Sequence, residues 1–164
     1  YSVDPAAIVD VYYYDGGFIL DERLYAVGQS NRRLAQFLQN LEDQQVLVVA
    51  DSAEPKSIDE LREYQVSLIG ANKGPGSVNQ GIQFVQDQKI SLTSRSQKTR
   101  VAYVNYRWDT DKDDRVINKP DDTIHEWSNP MDAIRYGMTS LRPPQEKKPK
   151  RVRHYDPVTG RLLN

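Results

Sequence analysis

Apolar and polar positions repeat with two different periods along the chain. From residue 6 to residue 20, AAIVDVYYYDGGFIL is dense in Val, Ile and Tyr on both sides of Asp15-Gly16-Gly17. That pattern predicts two antiparallel strands joined by a tight turn, and LYAVG (24–28) predicts a third strand. The period then lengthens. Leu34, Phe37, Leu38 and Leu41 fall on one helical face behind a Ser30 or Asn31 cap. VLVVA (46–50) is a continuous apolar run, which predicts a strand covered on both faces. Ser57 and Glu60 have the spacing of a capping box for a short helix. YQVSLIGA (64–71) predicts a strand, KGPGS (73–77) a loop, Val78, Ile82 and Val85 the stripe of a helix, and ISLTS (90–94) a short strand.

Residues 97 to 108 suit a strand by composition and a helix by the spacing of Thr99, Tyr103 and Tyr106. DTDKDDRVINKP (109–120) is polar and turn-like, as in a protruding hairpin. Asn129-Pro130 has the N-cap and N1 signature of a last helix, with Ile134, Met138 and Leu141 on its buried face. An opening antiparallel run followed by alternating strands and helices implies an α/β fold, a mixed β-sheet flanked by helices. The organisation expected is one domain over residues 1–141 and a basic, proline-containing tail over 142–164 with little structure of its own.

Composition narrows the function classes. The 164 residues carry 22 Lys and Arg against 23 Asp and Glu, so overall charge selects no partner. Cysteine is absent, which excludes disulfides, thiolate metal sites and a cysteine nucleophile. No apolar run approaches the length of a membrane span, and no signal peptide is visible after Tyr1. The loop at Lys73 lacks the GK[ST] ending of a nucleotide-binding P-loop.

Asp51 ends the apolar VLVVA run. Asp commonly closes a strand because it suits the following turn. A carboxylate there can also be held rigidly at the mouth of an α/β sheet, where ligands bind. Asp132 is open in the same way: at the third position of a helix capped by Asn129 it favours the helix dipole, or it meets Asp51 across the sheet. Clustered carboxylates hold hard divalent ions for phosphodiester cleavage, in which two ions about 4 Å apart activate water and stabilise the leaving oxygen. Lys73 in its glycine-rich loop suits a DNA phosphate. Lys98, Arg100 and Arg107, interleaved with Tyr103, Tyr106 and Trp108, suit either a nucleic-acid surface or a solvated helix face.

Four stretches carry a resemblance. ADSAEPKSIDELR, GANKGPGSVNQGIQFV, DKDDRVINKPDDT and MDAIRYGM resemble, in that order, the C-terminal nuclease domain of the large terminase subunit of tailed bacteriophages. The resemblance covers roughly residues 1–141. It implies an RNase H-like fold and an acid cluster binding Mg²⁺ or Mn²⁺, with Asp51 and Asp132 as catalytic metal ligands and Glu54 and Lys56 in support. Many relatives carry His or Asp three residues before the last acid, where this chain has Asn129, so either Asn129 or the nearby His125 is expected to fill that place. The family's first catalytic Asp belongs to a central strand that precedes the segment seen here as Tyr1 to Pro5, and it is expected upstream of Tyr1.

The function implied is a metal-dependent endonuclease that cuts concatemeric phage DNA during genome packaging, using metal-activated water. The alternative is a DNA-gripping or portal-docking module with little nuclease activity in isolation. The partners implied are double-stranded DNA, an N-terminal packaging ATPase domain, the portal protein and the small terminase subunit, in the bacterial host cytoplasm at the procapsid.

Overall fold

The computed structural model describes residues 4–41 and 46–141. Within them lie seven strands and five helices in a mixed α/β arrangement. The opening hairpin pairs β1 (Pro5–Tyr14) with β2 (Gly17–Val27) along its whole length. Asp15 at φ 48° and Gly16 at φ 71° supply the left-handed turn that matches the twist of two paired strands. The expected third strand at LYAVG is instead the end of β2. The register shifts between Ile8↔Leu24 and Val9↔Glu22, so Arg23 is an extra residue in a bulge. The bulge bends β2 without ending its pairing. A short strand, Ile90–Leu92, runs parallel to β2, Phe18 opposite Ile90 and Leu20 opposite Leu92.

A second, smaller sheet pairs Val48–Ala50 with Leu68–Gly70 in parallel, Ala50 opposite Gly70. The crossover between them is α2 (Pro55–Glu63), which follows α1 (Asn31–Gln39) in the chain. Ser30 caps α1 by accepting the Arg33 N–H at 3.3 Å. The Ser57–Glu60 capping box does not form, because Pro55 opens α2 three residues earlier than that box requires. Glu60 instead accepts the Asn31 side-chain amide at 2.8 Å, tying α2 to the start of α1. Coverage of VLVVA is also less complete than its apolar run implies. Val46 and Leu47 precede the strand and are exposed, and the three strand residues are half-buried.

Residues 97 to 108 resolve into a helix and the start of a strand. After α3 (Ser77–Gln86) comes α4 (Gln97–Asn105), and Trp108 begins the hairpin of Trp108–Thr110 with Val116–Pro120. Tertiary contacts decide the helix. The Glu22 carboxylate of β2 accepts the Thr99 N–H in the first turn at 2.5 Å, and buried Ser96 accepts the Glu22 N–H at 2.8 Å. A carboxylate at that end of a helix also favours its dipole.

The last helix, α5 (His125–Ser140), starts four residues before the expected Asn129 cap and contains Pro130 in its interior. A proline there removes the N–H that would bond to the Glu126 carbonyl. The Tyr25 hydroxyl of β2 donates to that carbonyl at 3.1 Å, so the acceptor keeps a partner. Two apolar clusters hold the fold: Phe18, Leu20, Val85, Ile134 and Met138 in one, and Ala35, Ile58, Leu61, Val66 and Leu68 in the other. Helix α5 packs against β1, β2 and Val48–Ala50, so it spans both sheets. Among the described residues, β1 and Val48–Ala50 each have a paired neighbour on one side only.

Candidate active site

Asp51 stands directly after the Val48–Ala50 strand. The Ala71 N–H donates to the Ala50 carbonyl at 2.7 Å, which carries the parallel pairing one residue further and fixes the backbone beneath the acid. Asp51 Oδ1 accepts the Ala53 N–H at 2.7 Å, the local bond that orients an Asp at a turn. Both readings of Asp51 therefore hold together: it closes the strand and presents an oxygen at the sheet's rim.

Asp132 reaches the same place from the middle of α5. The Tyr136 hydroxyl, one turn further along, lies 3.3 Å from Asp51 Oδ2 and 3.2 Å from Asp132 Oδ2. The two carboxylate oxygens are therefore no more than about 6.5 Å apart, the sum of those contacts. One hydroxyl has one hydrogen, so it serves the two acids in turn. Because α5 begins at His125, Asp132 is not in the first turn of the helix, and the capping role considered for it does not apply.

Each acid also has its own cation. Arg135 Nη2 donates to Asp132 Oδ1 at 2.6 Å, and the Arg135 side chain is only 8% exposed. Its guanidinium lies 4.6 Å from the centre of the Tyr136 ring. Lys73 Nζ donates to Asp51 Oδ1 and lies 5.3 Å from the centre of the same ring. Burial pushes the Asp51 carboxyl up, but the Lys73 ammonium, the Ala53 N–H and the Tyr136 hydroxyl outweigh it and hold Asp51 below its ordinary value. Burial lowers Lys73, yet Asp51 and Tyr136 raise it above the usual lysine value. Burial raises the Tyr136 phenol, so it remains a donor at neutral pH. Beside Asp132 is a cavity of about 200 Å³, walled by Tyr103, Tyr106, Ile82, Val85, Met131 and Arg135.

The chain matches the terminase RNase H-like domain over residues 12–140. It belongs to that family. It is 30% identical to the large terminase subunit of Bacillus phage SPP1 over 146 residues, 83% of this chain and 33% of the relative. The chain thus spans about a third of that relative's length. The crystal structure of the nuclease domain of the SPP1 large terminase with bound Mn superposes with a TM-score of 0.73 at 28% identity, covering 85% of this chain and 81% of that one. The fold is accordingly RNase H-like, the mixed α/β architecture of a large-terminase nuclease domain.

Within this terminase domain the other expected site residues are dispersed. Glu54 occupies the N-cap position of α2 without a side-chain cap, and both Glu54 and Lys56 are exposed. Asn129 does not cap α5; its side-chain amide donates to the Pro5 carbonyl at 2.9 Å, at the start of β1. His125 is exposed in the first turn of α5, about 10 Å along the axis from Asp132 by helical rise. Lys98 Nζ lies 5.9 Å from the centre of the Tyr25 ring, Arg100 is exposed on α4, and Arg107 is exposed and 3.9 Å from Asp121. Lys73, expected at a phosphate, is bound by Asp51.

Sequence reasoning missed Arg135 and Tyr136. Their signal was present in MDAIRY, where they stand three and four residues after Asp132 and therefore on its side of a helix. Among the described residues, no group of three or more His, Cys, Asp or Glu side chains gathers in a way that could hold a metal. No described helix is long and apolar enough to cross a membrane.

Proposed function

We propose that this domain is the metal-dependent DNA endonuclease of a viral genome-packaging terminase. The observation that carries the reading is the convergence of Asp51 and Asp132 on one tyrosine hydroxyl, two acids brought together from a strand end and a helix. Their oxygens are the hard ligands that Mg²⁺ or Mn²⁺ prefers. The Lys73 ammonium already sits against Asp51, so the place accepts positive charge. The residues present therefore fit a divalent cation, held by Asp51 and Asp132.

When bound, such an ion lowers the pKa of water and stabilises charge on the phosphodiester oxygens. The protein's own part is positional. The Ala53 N–H and the end of the parallel strand pair hold Asp51, while buried Arg135 holds Asp132. Tyr136 keeps the two acids at one distance from each other. A tight pair of ions calls for a further acid. We propose that the strand expected upstream of Tyr1 by resemblance carries it; among the described residues, β1 and Val48–Ala50 each have a paired neighbour on one side only.

The substrate proposed is concatemeric double-stranded DNA, cut during packaging in the bacterial host's cytoplasm at the procapsid. The partners proposed are the packaging ATPase domain, the portal protein and the small terminase subunit. The presence of only two converging carboxylates among the described residues favours one alternative, a DNA-gripping or portal-docking module with weak nuclease activity in isolation. Incubation of supercoiled plasmid with Mn²⁺, with and without EDTA, separates the two. EDTA-sensitive nicking supports the nuclease; a gel shift without nicking supports the module.

A further inference from the structure

The two cations that flank the acids are held very differently. Arg135 is buried on α5 and pinned on both sides, by Asp132 at one end and by Gly81 of α3 along its stem. Lys73 is 34% exposed and belongs to a loop that runs into Gly74, Pro75 and Gly76. Its reach to Asp51 is built into the fold. Ala50 and Gly70 are paired in register, Asp51 follows the first, and Lys73 follows the second by three residues. On Asp51, Oδ1 carries both the Ala53 N–H and the Lys73 ammonium, while Oδ2 faces the tyrosine hydroxyl shared with Asp132. The Ala53 contact is backbone and stays. The ammonium is the one partner of Oδ1 on a long flexible stem, and so the one that can leave.

We infer that Lys73 is a tethered cation that occupies Asp51 Oδ1 until a divalent ion displaces it, and that the released ammonium then grips a phosphate of the DNA. This rests on the nuclease reading above and adds to it an order of events. Before metal loading, Lys73 neutralises Asp51 and helps to keep it in place. After loading, a positive charge is freed at the rim of the site, where the incoming phosphate needs one. Metal binding and backbone grip are thereby coupled through a single side chain, with no change in the fold required. The glycines on either side of Pro75 let the loop re-aim its lysine, Gly76 being held at φ 75° where other residues are strained.

The test uses Lys73→Met, which keeps much of the stem and removes the charge. Mn²⁺ binding is measured by calorimetry without DNA, on the full chain and on the variant, with Lys89→Met as a control for a change in net charge alone. Release of the competing ion pair should tighten Mn²⁺ roughly fivefold in Lys73→Met and leave Lys89→Met unchanged. DNA binding with Ca²⁺ present should, in Lys73→Met, lose about one unit of its salt slope. In the unaltered protein, the lysine side-chain nitrogen signal of Lys73 should move on titration with Mg²⁺. Equal or weaker Mn²⁺ binding by Lys73→Met, or an equal gain in the control, overturns the inference while leaving the nuclease reading intact. Absence of Mn²⁺ binding and of nicking in every protein overturns that reading as well.

Discussion

Gly81 of α3 lies so close to Arg135 of α5 that a β-carbon at position 81 would stand 2.8 Å from the arginine's Cγ and Cδ. That approach lets α3 cover the stem of the side chain that holds Asp132. A methyl group at 81 improves helix propensity by about 1 kcal/mol, but it must displace a buried side chain, at roughly 1–3 kcal/mol. Gly81→Ala is therefore expected to unfold at lower denaturant concentration and to lose nicking activity more sharply than stability. Denaturant titration and plasmid nicking at a temperature where the variant is folded check both halves. Unchanged activity would show that Arg135 does not position Asp132.

Tyr136→Phe removes only the hydroxyl that both acids share. The ring stays buried, so the fold should lose no more than about 1 kcal/mol. Positioning bonds of this kind typically contribute 10-fold or more to metal affinity or activity, so Mn²⁺ affinity should fall by about that factor. Calorimetry on the purified variant reads it directly, and an affinity equal to that of the unaltered protein would remove Tyr136 from the site.

Asp21 predicts a pH dependence of stability away from the site. It is buried on β2, bonded to Arg95 and to the Thr93 hydroxyl at 2.6 Å, and 3.9 Å from Arg23. Arg95 is the largest influence and outweighs burial, holding the carboxyl below its ordinary value. A depressed folded-state pKa stabilises the protein above the unfolded pKa, about 4, and the stabilisation is lost as pH falls through the lower folded value. Asp21→Asn should thus cost about 1–3 kcal/mol near neutral pH, and the difference between the two proteins should shrink below about pH 4. Urea titrations at several pH values measure it; a constant difference would contradict the assignment.

The basic segment over residues 142–164 lies outside the described residues. Lys147, Lys148, Lys150, Arg151 and Arg153 in it suit salt-sensitive contacts with DNA. Deleting the segment should weaken DNA binding more at low salt than at high salt and leave Mn²⁺-dependent cleavage chemistry in place. Binding isotherms across a salt series check the first expectation, and single-turnover cleavage at saturating protein checks the second.

Signals that act between near neighbours in the chain were legible in the sequence. Asp15-Gly16 forces its turn because only certain residues accept left-handed backbone there, and the Val, Ile and Tyr runs beside it then pair. The apolar runs likewise announce the strand before Asp51 and the helix that carries Asp132. Local signals misled where a distant partner changed the balance. Asn129-Pro130 reads as a helix start, yet the helix continues through it because Tyr25 satisfies the carbonyl that the proline strands. Residues 97–105 contain β-formers, yet they form a helix whose first turn is held by Glu22, which accepts the Thr99 N–H. Only the tertiary structure decided which charges meet: Lys73 with Asp51, Arg135 with Asp132, and Tyr136 between the acids. Those meetings depend on how α5 lies across two sheets, and burial of apolar surface sets that placement without regard to which polar residues it brings together.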